Sequence, residues 1–302
     1  MPGPNDDGCV KRERRSRFVE IFRTTPTNTV CPNFYVLRHA DGCSFSPQCS
    51  YCYLKSSFWF LKEPHLFTNV DKLVREIKTW LDRDDLESYI LNMGNLSDSL
   101  VFEDSRPLMP TLVRLFREEA EAKGKRHSLL LVTKGGTREC RGLFELQPCK
   151  NVIISFSVNN PQTAGKHERG AAAVEDRFRA AGRLKSMGWR VRIRIDPMIL
   201  GFRYGQVAEQ VKRLGPERVT LGSLRAEASL LRMSRNGLFS ALERPEEERG
   251  LARYPREERL ALYRQAAEVL AGVCPIALCE ETPDIWNALG LDADAKSCNC
   301  GL

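Results

Sequence analysis

Short β-branched runs alternate with amphipathic helix patterns along most of this chain, and that alternation limits its fold more than any other feature. The runs are NFYVLRH (33–39), SYILNM (88–93), SLLLVTK (128–134), NVIISFSVN (151–159), WRVRIRIDP (189–197) and RVTLGSL (218–224). Between them, NVDKLVREIKTWL starts at Asn69 and sets Val70, Leu73, Ile77 and Leu81 on one helical face. MPTLVRLFREEAEAKG (109–124), VEDRFRAAGRLKSMG (174–188) and GQVAEQVKRLG (205–215) also read as helices, and a last one is expected over roughly 256–272. Six alternations predict an α/β fold with a parallel sheet and helices packed outside it.

Both an open doubly wound sheet and a partial (β/α)6 barrel meet that description. The run RVRIRID separates them, because Val191, Ile193 and Ile195 share one face of a strand and Arg190, Arg192 and Arg194 the other. Helices on both faces of an open sheet would bury three arginines at high cost. In a barrel with a polar lumen the arginines can point inward and meet an anionic ligand. The fold expected is therefore a partial (β/α)6 parallel barrel; an edge strand with one solvated face is the competing arrangement.

Cys43, Cys49 and Cys52 lie just after the first run, spaced C-x5-C-x2-C in GCSFSPQCSYCYL. Barrel active sites form at that C-terminal edge of the strands. Three thiolates on one loop can bind three irons of a [4Fe–4S] cluster and leave the fourth iron open. Zinc is the competing metal, and His39 could complete its four ligands. The chain has 11 cysteines, and no signal segment opens it: MPGPNDDGCVKRERRSR has no apolar core. No apolar run reaches the roughly 18 residues of a membrane span. A cytoplasmic address is expected, where clustered cysteines more often bind metal than form disulfides.

The net charge of +7 is concentrated early, with Lys11, Arg12, Arg14, Arg15, Arg17 and Arg23 against Glu13 and Glu20. Such an arm (1–30) is either a solvated tail or a phosphate-binding segment for nucleic acid.

A three-cysteine loop after the first strand of such a barrel resembles the radical S-adenosylmethionine (SAM) superfamily. The resemblance narrows to the spore photoproduct lyase family. CSYCYL, NMGNLSDSL (92–100), LVTK (131–134), ISFSVN (154–159), HERG…EDRFRAA (167–181) and RIDPMI (194–199) follow that family's order from about residue 31 to 225. The resemblance implies that Cys43, Cys49 and Cys52 hold a [4Fe–4S] cluster whose open iron chelates SAM. Reductive cleavage would yield a 5′-deoxyadenosyl radical that abstracts hydrogen from a substrate. It implies SAM-binding roles for Met93, Gly94, Asn95, Lys134, Ser157, Asn159 and Arg194. It also implies an electron donor such as a ferredoxin or flavodoxin. Tyr51 and Tyr53 match tyrosines that relay a hydrogen atom in the lyase. The first two cysteines are spaced more widely than is usual in the superfamily. The lyase's donor cysteine, in S-C-T-S-D, has no match: G-N-L-S-D (94–98) puts Asn95 there. The thymine-dimer reaction itself is therefore not expected.

Cys274, Cys279, Cys298 and Cys300 end the chain. A short helix PDIWNALG, capped by Thr282 with Pro283 first and Gly290 last, would fold the segment back and join them. They are candidate ligands of an auxiliary iron–sulfur cluster or a zinc ion, with unligated thiols as the alternative. The expected organisation is an arm (1–30), a barrel core (31–225), a linker and helix (226–273) and a cysteine-rich segment (274–302). Three functions fit: a radical SAM enzyme acting on a nucleic acid or nucleotide, one modifying a peptide or small metabolite, and a zinc-stabilised nucleic-acid module without catalysis.

Overall fold

The computed structural model describes residues 8–23, 25–234 and 237–301. Its strands are β1 (Val10–Arg12), β2 (Val19–Phe22), β3 (Phe34–Leu37), β4 (Ala40–Asp41), β5 (His65–Phe67), β6 (Ile90–Asn92), β7 (Ser128–Thr133), β8 (Val152–Val158), β9 (Arg190–Met198), β10 (Val219–Ser223), β11 (Arg225–Ala226), β12 (Ala252–Arg253) and β13 (Ile276–Leu278). The α-helices are α1 (Leu54–Ser57), α2 (Val70–Leu81), α3 (Met109–Phe116), α4 (Arg141–Phe144), α5 (Pro161–His167), α6 (Val174–Ser186), α7 (Gly205–Leu214), α8 (Ala228–Met233), α9 (Arg256–Leu270) and α10 (Pro283–Ala288). Each of the six runs read as strands contains one, and each helical pattern contains its helix.

The main sheet has eight strands in the order β13-β10-β9-β8-β7-β6-β3-β2. Every pairing is parallel except β2 with β3, and β2 and β13 are its two edges. Seven parallel strands are present where six were expected; the seventh, β13, comes from the cysteine-rich segment. Residues of the basic arm build β1 and β2, which pair with β5 and β3. Arg14 is buried there, its Nε donating to the Arg17 carbonyl at 2.7 Å; residues 1–7 and 24 lie outside the described residues.

Side-chain alternation divides the two faces. Leu129, Leu131, Ile154, Phe156, Val191, Ile193, Ile195, Val219 and Leu221 join the main core together with buried residues of α2, α3, α6, α7, α9 and α10. In α2 the buried stripe is Leu73, Ile77, Trp80 and Leu81, each worth about 1.5–3 kcal/mol when removed from water. The opposite face carries a small apolar patch of Ile90, Leu130, Val132 and Ile153. Ser155, Arg192 and Arg194 share that face by alternation.

The arginines of that face meet the chain itself rather than an open lumen. Residues 298–301 lie across it: Arg192 Nη1 donates to the carbonyls of Asn299 and Gly301, both at 2.8 Å, and Ser155 Oγ to Asn299 Oδ1 at 2.9 Å. Arg190 forks onto Glu217 at 2.9 and 2.6 Å, and Arg194 pairs with Asp196. Buried guanidinium groups require such partners. Among the described residues no helix is long and apolar enough to cross a membrane.

Candidate active site

Parallel strands put their C-terminal ends on one edge, so the loops after β3, β6, β7, β8, β9, β10 and β13 converge there. The loop after β3 carries Cys43, Cys49 and Cys52. Three residues of the HERG stretch fix it. Ser50 N donates to the His167 carbonyl at 2.9 Å and Ser50 Oγ bonds His167 Nδ1 at 2.7 Å. Tyr51 donates its hydroxyl to Glu168, whose other oxygen takes Arg177 Nη1 at 2.5 Å. Gly170 is required because a Cβ there would lie 2.4 Å from the Pro47 carbonyl oxygen. HERG and EDR are therefore one clamp, with Glu168 and Arg177 as a buried pair.

Cys43, Cys49 and Cys52 sense one another electrostatically. Burial pushes all three thiols up, Cys49 to about 11, and the charge of Lys134 pulls Cys49 and Cys52 the other way. Lys134 Nζ stands 5.7 Å from the centre of the Tyr51 ring. Metal binding demands thiolates and releases their protons, and Lys134 is the cation in place to favour that. Among the described residues, no three His, Cys, Asp or Glu side chains are set to hold a single metal ion. A [4Fe–4S] cluster asks for a different arrangement, one thiolate on each of three irons, and the donor set of this loop fits it. His39, the fourth ligand of the zinc alternative, has Arg106 Nη2 at 3.1 Å from its Nδ1, and its ring lies edge-on to Phe102.

The other expected residues gather at the same edge with unequal roles. Met93 is buried in the helix-side core, and its backbone N–H donates to the Leu130 carbonyl at 2.9 Å. Gly94 packs where a Cβ would meet Val132 Cβ at 2.5 Å. The backbone carbonyl of Asn95 accepts the Tyr53 hydroxyl. Asp98, the last residue of G-N-L-S-D, accepts Lys134 N at 2.7 Å and Thr133 Oγ1 at 2.9 Å, tying the β6 loop to the end of β7. Ser157 is buried and gives its carbonyl to Arg177. The Asn159 side chain is engaged by Glu168, Pro197 O and Asn160 N.

Arg194 belongs to a second network. Asp196 takes Arg225 Nη1 at 2.8 Å and also Arg194; burial alone would raise its pKa, but the Coulombic pull of Arg225 and Arg194 holds it far below the usual carboxylate range. A register shift between Leu221 and Ser223 brings Gly222 over Asp196, where a Cβ would lie 2.5 Å from Oδ1. Cys279 Sγ accepts from Arg225 at 3.1 Å and Arg194 at 3.3 Å.

Of the four C-terminal cysteines, Cys279, Cys298 and Cys300 come near one another, with Cys31 beside Cys298. Helix α10 does turn the chain back, from Pro283 with Gly290 at φ 69°. Cys274, however, lies before β13 and Cys279 after it, at opposite ends of the strand. Cys298 instead accepts from Cys300 and from Cys31, which hold its pKa well below the ordinary thiol value. Cys31 is a lone cysteine in the sequence, and only the tertiary fold shows its partners.

No protein-family model matches the chain, and no curated protein matches it. Solved structures of spore photoproduct lyase share its fold. A variant with dinucleoside spore photoproduct superposes with TM-score 0.73 at 15% identity, over 92% of this chain and 86% of that one. The lyase complexed with dinucleoside spore photoproduct gives 0.72 at 15%, over 92% and 86%. A double variant with bound AdoMet and dinucleoside spore photoproduct gives 0.69 at 15%, over 91% and 85%. The resemblance drawn from the motifs is thus matched by the three-dimensional fold.

Proposed function

We propose that this chain is a radical SAM enzyme in which Cys43, Cys49 and Cys52 hold a [4Fe–4S] cluster. The observation that carries the reading is the three-thiol loop at the C-terminal end of the first parallel strand, clamped by His167, Glu168 and Gly170. When bound, the cluster and SAM supply a 5′-deoxyadenosyl radical for hydrogen abstraction. The chain's own groups do the positioning. Lys134 sets a positive charge beside the thiols and the Tyr51 ring. Asp98 fixes the backbone of Lys134. The Glu168–Arg177 pair holds Tyr51 in place. Asn95 and Ser157 are the polar groups assigned to SAM along the same edge. The partial-barrel reading is supported by the asymmetry of the sheet, whose polar face lies away from the helix-packed core. A low-potential one-electron donor of the ferredoxin or flavodoxin class is required.

The substrate reading is a nucleic acid or nucleotide. The bound dinucleosides of the similarly folded lyases and the basic N-terminal face favour it. Asn95, where that family keeps a thiol, favours a reaction other than thymine-dimer repair, because an amide cannot donate a hydrogen atom. Modification of a peptide or small metabolite is the second reading, and the same Asn95 is what favours it.

Anaerobic reconstitution tests the core of this. Expected are about four iron and four sulfide per chain, with 5′-deoxyadenosine released on reduction with dithionite and SAM. Replacing any of Cys43, Cys49 or Cys52 by alanine should abolish that release. A colourless zinc protein that leaves SAM intact would refute the proposal.

A further inference from the structure

Among the described residues, the exposed large hydrophobic side chains are Tyr53, Trp59, Phe60 and Met233, at 42%, 69%, 61% and 46% exposure. They are not scattered. Tyr53 opens α1, Trp59 and Phe60 follow it, and Met233 ends α8, which packs on α1. The other tryptophans, Trp80, Trp189 and Trp286, are at most 3% exposed. The rim of the candidate site is thus where this chain leaves large apolar side chains in water.

The aromatic pair is held rather than loose. Trp59 and Phe60 meet edge to face, with ring centres 6.1 Å apart at 88°. Phe60 also edges against Phe58, which is buried beneath the Arg38 guanidinium. A turn from Leu61 N to the Phe58 carbonyl at 2.9 Å closes the loop. Three residues further the chain enters β5, and β1 lies alongside in parallel with Arg12 opposite Phe67. Lys11, Arg12, Arg15 and Arg17 on and after β1, and Lys62 just before β5, are exposed, against exposed Glu13 and Glu63. Lys72 Nζ secures the backbone of the basic run by taking the carbonyls of Arg14, Arg15 and Ser16 at 3.2, 2.6 and 2.8 Å.

We propose that this surface is a single-strand nucleic-acid track: Trp59 and Phe60 stack unpaired bases at the rim of the site, and the basic run from Lys11 to Arg17 follows the phosphates. Aromatic platforms beside a basic path are how sequence-tolerant single-strand binders work. Four large side chains are far short of the roughly 1,000 Å² a stable protein interface needs, while the Trp59 and Phe60 rings each offer a face on which a base can stack. The patch runs into the site through Tyr53, whose hydroxyl meets the Asn95 carbonyl. The proposal rests on the reading of that site only for what the track leads to.

Trp59 is itself the reporter, since the remaining tryptophans are buried. The full chain, without added SAM, is titrated with a short oligothymidylate while tryptophan emission is followed. Quenching is expected, and Trp59→Ala or Phe60→Ala should weaken binding by about 5- to 150-fold, the range for one stacked base. The affinity of the Phe60→Ala chain is read from the Trp59 signal, and that of the Trp59→Ala chain from anisotropy of a labelled strand. Arg15→Ala should flatten the salt dependence by about one phosphate contact. Unchanged affinity in both aromatic variants overturns the proposal, as does equal quenching by polyglutamate at the same ionic strength. A chain that binds the strand but never cleaves SAM sinks the enzymatic reading alone; one that cleaves SAM but binds no strand sinks this track alone.

Discussion

Tyr53 donates its hydroxyl to the backbone carbonyl of Asn95, whereas Tyr51, two residues earlier, donates to the carboxylate of Glu168. Two tyrosines that look alike in CSYCY therefore have different work. A carbonyl can only accept the hydrogen bond, at a residue that is 42% exposed. Glu168 is a buried anion with few other donors, chiefly Arg177 and Asn159. Tyr53→Phe should cost no more than about 1 kcal/mol, and Tyr51→Phe about 1–3 kcal/mol because a buried charged acceptor loses a partner. Urea midpoints measure the difference. The Tyr53 variant should also keep SAM cleavage within a few-fold of the parent.

Replacing both Cys298 and Cys300 by alanine should leave the iron content at about four per chain. Cys274 lies beyond β13 from Cys279, and Cys279 is held by two guanidinium groups. Cys298 bonds both Cys300 and Cys31. Loss of half the iron and sulfide in the double variant would show that these thiols ligate a second cluster.

The sheet and most helices were legible because their signal is local. Val191, Ile193 and Ile195 alternate with Arg190, Arg192 and Arg194, and the faces separate as that period demands. Helix α2 buries Leu73, Ile77 and Leu81 as its spacing predicts. The three residues of β13 carry no such pattern, and their strand exists only because β10 offers an edge. The arginines were expected to face an anionic ligand; that Arg192 would meet the carbonyls of Asn299 and Gly301 depends on a contact over a hundred residues away. Glu168 and Arg177 stood inside the quoted motifs, yet their pairing, like the Cys31 contact, is a product of tertiary packing.

Glu103 makes stability rise toward acid over a defined window. Its carboxyl caps the start of α3, accepting the Leu108 and Met109 amides at 3.2 and 3.1 Å. Burial nonetheless pushes its pKa up to about 7, from an ordinary value of 4.5. A raised carboxyl pKa means that the folded state holds its proton more tightly than the unfolded state. The resulting contribution is fully present below about 4.5 and is lost as pH rises through 7. The histidines oppose this trend, since burial lowers the pKa of His39, His65, His127 and His167 and folding disfavours their charging. Glu103→Gln keeps an acceptor oxygen and removes the titration. The stability of the parent minus that of the variant should therefore increase as pH falls from 7 to 4.5, while the histidine contributions cancel. Denaturant melts across that range check it; a flat difference would mean that folding leaves the Glu103 pKa unshifted.

Ending the chain before Ser297 should destabilise it well beyond what any single tail side chain contributes. Arg192 is fully buried and loses both carbonyl acceptors at once, keeping only Glu217 at 3.0 and 3.3 Å. Arg218 Nη1 loses the carbonyls of Cys298 and Gly301 at 3.0 and 3.2 Å, and Ser155 loses Asn299. Water entering the uncovered face recovers part of this, so the expected cost is about 2–4 kcal/mol, from buried donors left short at about 1–3 kcal/mol each. Asn299→Ala is the control. It removes the Ser155 contact but keeps every backbone carbonyl, and should cost about 1 kcal/mol. The comparison separates a tail that seals the polar face through its backbone from one that merely rests on it. If truncation and Asn299→Ala shift the urea midpoint equally, the carbonyls at 299 and 301 are not what satisfies Arg192, and the guanidinium must be hydrated in solution.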